Sequence, residues 1–456
     1  MAIYDDLIIV GTGDAHLVAI EARTGEVRWD VEVADHTLGY AYSAGPIVAD
    51  GRIIAPMSGC YMINEGGCWI SAHDPADGAE VWRRMTIAAP DEPGGDSWGQ
   101  TPRSERYGGS VWMPPSYDPE TRTLFVGTAV PIPWGRAQRQ GQGQGDLLHT
   151  NSTLALDTVT GEIKWARQHL PSDNFDMDTA FERHVVVAEV RPDPAEVRWI
   201  AEQLPRQPMK MLFGMFGKAG IIRAIDAETG RLLWARETYY QNVISDINMY
   251  TGRAQLNEGL IGGVGETMFV CPSLAGGRNW PGAAVDPEAG VFFVGFNNTC
   301  MDYTLKDVSP EAGVYHDSAS LVLRPVPGSD GSVSTVIAID IATGRQLWRR
   351  DQRGSSHSGV IATGGGLVFH GDIDRSFRAV DSQTGEALWS TRLPSPVQGT
   401  VVTYAVNGVQ YLAVPTGSTS GFYGLTPEIP RPENSSALFV FKLREPDRRR
   451  PAGGER

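Results

Sequence analysis

At 456 residues the chain is too long for one simple hydrophobic core, although repeat architectures and closed rings of sheets reach this size without dividing. A net charge of −15 argues against a nucleic-acid partner, whose phosphates it would repel, and no run of eighteen apolar residues is present to span a membrane. The 53 glycines and 30 prolines, in a chain that is 41% hydrophobic, imply tight turns between short apolar strands.

Residues 1–10 (MAIYDDLIIV) enter a strand almost at once and lack the basic start and apolar core of a signal peptide. The expectation is a cytoplasmic protein, or a chain whose front is missing. Gly11-Thr-Gly13 is followed by His16 where a dinucleotide fingerprint needs glycine, so it reads as a hairpin. The decisive signal comes next. A pattern Ala-x-Asp/Glu-x-x-Thr/Asp-Gly-x-x-x-Trp occurs at 19–29, 72–82, 155–165, 224–234, 338–348 and 379–389. Each copy is a hairpin, with an apolar strand, a turn supplied by Asp and Gly, and a strand ending in tryptophan. Another glycine-punctuated strand pair precedes most copies, and four short strands repeated in this way mark a propeller blade. The tryptophan face can pack between neighbouring sheets while its indole N–H seeks a partner on the next blade. A seventh unit without tryptophan is expected over 283–323, with its turn at 285–290, giving about seven blades. The insertions at 88–107 and 131–147 are expected on one face, where loops on a rigid scaffold carry function.

The four cysteines, Cys60, Cys68, Cys271 and Cys300, form no Cys-x-x-Cys pair, and the histidines show no zinc or covalent-haem spacing. Either Cys60 pairs with Cys68 and Cys271 with Cys300, in an oxidising compartment, or all four are reduced in the cytosol. Residues 171–178 (PSDNFDMD) place Asp173, Asp176 and Asp178 within six positions. A loop running into a strand would put Asp176 and Asp178 on one face, fit to hold a hard cation or to supply a base beside it. An acidic, solvated turn is the alternative. The end of the chain, 446–456, is expected to be a disordered basic tail after a single propeller domain over 1–445.

Taken with the segments between them, the tryptophan hairpins resemble those of the pyrroloquinoline quinone (PQQ) dependent alcohol dehydrogenases, a quinoprotein family of eight-bladed, all-β propellers. Ser58-Gly59 falls at a Ser-Gly that contacts the quinone, and Ser43 at a quinone-binding threonine. Gly108-Gly-Ser-Val-Trp112 resembles the segment whose tryptophan floors the cofactor, with Ser110 near its edge. Gly217-Lys-Ala-Gly220 resembles the segment that offers Lys218 to the quinone oxygens. Cys271 to Trp280 resembles a segment whose asparagine, here Asn279, reaches the cofactor beside Trp280, and whose cysteine pairs with a later one. Asp176 falls at the catalytic base and Asp178 at the second aspartate of lanthanide-dependent members.

The resemblance implies PQQ with Ca²⁺ or a lanthanide. It also implies oxidation of an alcohol to an aldehyde or ketone, with Asp176 as base, hydride passing to the quinone C5, and Lys218 stabilising the quinone oxygen. An external acceptor such as cytochrome c and a periplasmic location follow from the same likeness. Tyr61 stands where the family has a metal-binding glutamate and Val130 where it has an asparagine, and Glu65 is the expected substitute for one of these ligands. The family's vicinal cysteine pair would precede Met1, which suggests an N-terminal truncation. The alternative is a noncatalytic propeller of the same ancestry, acting as a protein-binding scaffold.

Overall fold

The computed structural model describes residues 1–61, 66–139, 145–308, 317–417, 422–433 and 435–442. These form seven small antiparallel sheets in sequence, each a meander whose strands pair in chain order, together with two-stranded and three-stranded additions. The first blade is Ala2–Tyr4, Leu7–Gly11, His16–Glu21 and Val27–Glu32, and the second runs from Ile47–Ala49 to Glu80–Met85. The third runs from Ser116–Asp118 to Ile163–Gln168. The fourth runs from His184–Ala188 to Leu232–Glu237, with Trp199–Ile200 added at its outer edge. The fifth runs from Ala284–Asp286 to Gln346–Gln352 and the sixth from Ile361–Thr363 to Ala387–Arg392. The seventh has three strands, Val402–Val406, Val409–Thr416 and Ala437–Lys442.

The repeated motif explains how successive blades join. Its aspartate accepts the amide N–H two residues on, as Asp157 does from Val159 (2.9 Å) and Asp226 from Glu228 (2.9 Å), which shapes the turn. The carbonyl after that aspartate then accepts the indole N–H of the preceding blade. Trp29 reaches Pro75 (3.0 Å), Trp82 reaches Thr158 (3.0 Å), Trp165 reaches Ala227 (3.1 Å) and Trp348 reaches Ser382 (2.9 Å). The motif glycine is required twice over. At Gly230 the backbone is left-handed (φ +70°), and an added Cβ would stand 2.5 Å from the Trp165 ring. Buried apolar residues from neighbouring blades merge into shared clusters, among them Phe213, Trp234, Phe292 and Ile337 between the fourth and fifth.

One expected unit is redrawn. Residues 283–323 are not a blade of their own: 284–286 and 291–297 are the first two strands of the fifth blade, which resumes at 334–340. The intervening strands Thr299–Leu305 and Ala319–Pro325 leave the blade and pair with Thr267–Val270 in a separate sheet. The seventh blade is the three-stranded one instead. Both expected disulfides are formed, Cys60 with Cys68 and Cys271 with Cys300. The expected tail at 446–456 lies outside the described residues. Among the described residues, no helix is long and apolar enough to cross a membrane.

In an antiparallel meander the chain enters the first strand at the same end as the turn between the second and third strands. Loops before each blade and loops in its middle therefore gather at one end, and the Asp-Gly turns at the other. The two insertions belong to the first end. They pack on each other through Ile87, Trp98 and Leu147, and the short pair Pro131–Ile132 with Tyr107–Gly108 ties them together.

Candidate active site

A cavity of about 360 Å³ opens at that end, and every element of its lining comes from one of those two kinds of loop. Residues 39–43 precede the second blade and 58–61 lie in its middle. Residues 108–112 precede the third blade and 129–134 lie in its middle. Asp176 and Asp178 precede the fourth blade, and Lys218 lies in its middle. The structure thus brings together Ser43, Ser58, Gly59, Ser110, Trp112, Asp176, Asp178 and Lys218 from five of these six loops. Asn279 and Trp280 do not line this cavity. The Asn279 side-chain Oδ1 accepts the Trp280 backbone N–H (2.9 Å), and the Trp280 ring lies beside His357, centroids 6.2 Å apart. Their loop backs Lys218 instead, Gly277 N–H donating to the Lys218 carbonyl (2.7 Å). Glu65 lies outside the described residues.

The acidic stretch is a loop, not the start of a strand; the strand begins at His184. Its three carboxylates divide. Asp173 turns back on the loop, accepting the N–H groups of Phe175 (2.8 Å) and Met177 (2.6 Å) and the side-chain amide of Asn151 (3.2 Å). Asp176, held at φ +61°, and Asp178 are left to face the cavity. Lys218 donates to Asp176 Oδ2 (2.9 Å) and pairs with Asp178 Oδ2 (2.7 Å), the three side chains being 6%, 11% and 8% exposed in the order Lys218, Asp176, Asp178. Asp178 Oδ1 also accepts the Val130 N–H (3.1 Å), so Val130 addresses the acid pair through its backbone.

Burial raises the Asp176 pKa well above the usual carboxylate value; the Lys218 charge offsets part of this and the Asp178 charge adds to it. Burial works against the Lys218 ammonium, but Asp176 and Asp178 outweigh it and keep the lysine protonated beyond the ordinary lysine range. The Tyr61 phenol is pushed up by burial and then by the charges of Asp178 and Asp176.

The other wall is hydroxyl-rich. Ser43 donates to Ser58 Oγ (3.0 Å) and to the Trp112 carbonyl (3.3 Å), and Ser58 donates to the Ala41 carbonyl (2.5 Å). Phe181 meets the Trp112 ring edge-on, which fixes its plane. Trp134, Ile132 and Cys60 also line the cavity, and none of them was expected there from the sequence. Cys60 had shown itself only as a disulfide partner, and no motif marks the other two.

The family described as "PQQ: Glucose/ethanol/alcohol dehydrogenase, beta-propeller domain" matches residues 4–202 and 352–412, more than half of the chain. The chain belongs to this family. Within the quinoprotein dehydrogenases it is 28% identical over 443 residues to the quinoprotein alcohol dehydrogenase PedH of Pseudomonas putida, covering 91% of this chain and 70% of that one. It is 28% identical over 454 residues to the lanthanide-dependent methanol dehydrogenase of Methylorubrum extorquens, covering 93% and 72%. Among solved structures, a europium-containing methanol dehydrogenase superposes with a TM-score of 0.81 at 25% identity, over 94% of this chain and 74% of that chain. The quinohemoprotein alcohol dehydrogenase ADHIIG of Pseudomonas putida HK5 also gives 0.81, at 26% identity, over 98% and 68%.

The donor set suits the quinoprotein cofactor. An aromatic floor, three serine hydroxyls and an ammonium surround a cavity in which Gly59 and Gly108 leave no room for a Cβ beside the Gly39 and Val130 carbonyls. Those groups match a flat ring edged with oxygens. For a hard cation the two buried carboxylates are the right kind of ligand, but few in number. Among the described residues no group of three or more His, Cys, Asp or Glu is placed to hold a metal. A cation bound here would draw most of its six to eight oxygens from the cofactor and water.

Proposed function

We propose that this chain oxidises an alcohol to an aldehyde or ketone, with PQQ and Ca²⁺ or a lanthanide in the cavity beneath the six loops. The single observation that carries this reading is the convergence of Trp112, Ser58, Asp176, Asp178 and Lys218 on one cavity; a binding scaffold would need none of them together.

When bound, the quinone supplies a hydride acceptor at its C5 and the metal supplies a Lewis acid. The protein's own residues do the rest. Trp112 sets the plane in which a flat ring lies, and Ser43, Ser58 and Ser110 offer hydroxyls to its edge. Asp176 takes the hydroxyl proton of the alcohol. Its raised pKa makes it a stronger base than an exposed aspartate, and the Lys218 ammonium beside it lets it be ionised in a buried place. The Lys218 ammonium, which pairs with both aspartates in this structure, has three N–H donors and so can also offer one to negative charge growing on an oxygen in the cavity. Asn279, whose loop packs behind Lys218, acts through that lysine in this reading.

The electrons leave to a separate acceptor of the cytochrome c kind. A methanol dehydrogenase subunit named for cytochrome c is among the relatives, which supports an acceptor of this class. The two disulfides support a periplasmic, oxidising location, and the seven sheets support one propeller domain over 1–445. The test is a titration of purified protein with PQQ plus Ca²⁺ or La³⁺, recording both dye-linked alcohol oxidation and cofactor absorbance. Saturable binding with turnover supports the reading, and no binding with either ion overturns it.

A further inference from the structure

We propose that Lys218 is a built-in placeholder cation: without metal its ammonium neutralises the Asp176–Asp178 pair, and an entering metal must take Asp178 from it. The inference rests on the metal reading above and concerns how this particular chain loads.

Both oxygens of Asp178 already have a partner. Oδ2 lies 2.7 Å from the Lys218 ammonium, and Oδ1 accepts the Val130 N–H at 3.1 Å. A hard cation binds a carboxylate oxygen at about 2.3–2.6 Å. Such an ion on Asp178 Oδ2 would stand against the ammonium already there, with little water between them because all three side chains are buried. Two positive centres on one buried oxygen repel each other strongly, so metal binding there favours the ammonium moving away.

The lysine can leave in one direction only. Its N–H donates to the Asp178 carbonyl (2.9 Å), and its carbonyl accepts the Gly277 N–H (2.7 Å), so the backbone is pinned. Gly276 lies close against its Cβ and Cγ; a side chain there would come within 2.9 Å of both. Only the outer stem is free to swing, and the open space it borders is the cavity. An oxygen-edged ring in that cavity would accept the ammonium and so release Asp178. Metal and quinone then load cooperatively through one side chain, and the metal alone binds against competition.

Tb³⁺ tests this on the ligand-free protein, because Trp112 and Trp134 in the cavity lining sensitise its emission. Lys218→Gln, which keeps an amide donor but loses the charge, should bind Tb³⁺ about tenfold or more tightly than wild type without quinone. Lys218→Arg, which keeps the charge, should bind no more tightly than wild type. Circular dichroism and melting establish that each variant is folded. Equal or weaker binding by Lys218→Gln, or Lys218→Arg binding as tightly as Lys218→Gln, overturns the placeholder role while leaving the metal reading intact. If neither wild type nor Lys218→Gln takes Tb³⁺, the metal reading falls and the placeholder falls with it.

Discussion

The ring of Phe181 meets the ring of Trp112 edge-on, with centroids 5.5 Å apart and planes at 82°. Phe181 is fully buried and the Arg278 guanidinium lies over its ring at 5.1 Å, so the residue that meets the tryptophan is itself held in place. Phe181→Ala should cost about 3–5 kcal/mol of stability in denaturant unfolding. It should also weaken quinone binding, read as cofactor absorbance, because the floor loses its fixed plane. Unchanged quinone affinity in a folded variant would mean that Trp112 is held by something else.

Asp176→Asn should lower kcat by about 10²–10⁴, the range that a general base supplies, while quinone affinity stays within a few-fold of wild type. The base works only when ionised, so in wild type the rate should rise with pH as Asp176 loses its proton. Burial raises that pKa while a cation bound beside it lowers it, so the acid limb should shift to lower pH when a lanthanide replaces Ca²⁺. A pH–rate profile without an acid limb, or one that the ion does not move, would argue against Asp176 as the base.

Glu182 gives a second pH effect, on stability and not on turnover. Burial opposes its charge, yet Arg278 and His184 overcome this and hold its pKa down at about 2, against 4.5 for an ordinary glutamate. A depressed folded pKa contributes stability above pH 4.5 that is lost as pH falls towards 2, in this case about 3 kcal/mol. Glu182→Gln should remove that pH dependence. It should also destabilise the protein by about 3–5 kcal/mol at neutral pH, since Arg278 is left fully buried without its charge partner. Melting temperatures between pH 2 and 7 for both proteins check this.

Gly230→Ala should cost more than Gly408→Ala. Both positions are left-handed, at φ +70° and +76°, so each pays the backbone strain of about 1 kcal/mol. Only at Gly230 does the new methyl meet the Trp165 ring, which should add about 1–3 kcal/mol of overpacking; Gly408 has open space around it. Equal unfolding midpoints would show that the tryptophan seam yields without cost.

The propeller was legible because its signal is local: Asp, Gly and Trp stand at fixed spacing, and each has a job within one turn and the blade before it. Residues 283–323 misled for the converse reason. The turn at 286–290 looks like any other, while the strands at 299–305 and 319–325 choose a partner at 267–270 through pairing that no local pattern records. The acid cluster was legible as a cluster but not in its division of labour. What separates Asp173 from Asp176 is two backbone N–H groups and a left-handed residue, neither written in residue type. Trp134 and Ile132 were silent because an insertion carries no repeat to be measured against.

The four hydrogen-bonded tryptophan seams lean the same way, each indole lying on the blade that follows, as roof shingles overlap in one direction. Wear at one seam lifts only its neighbour. A loosened join between the fifth and sixth blades lets in water far from the acid pair, whereas a loosened Trp165 opens the join crossed by the loop bearing Asp176. Two lesions of equal thermodynamic weight would therefore age this molecule differently, one merely shortening its life and the other silencing it first.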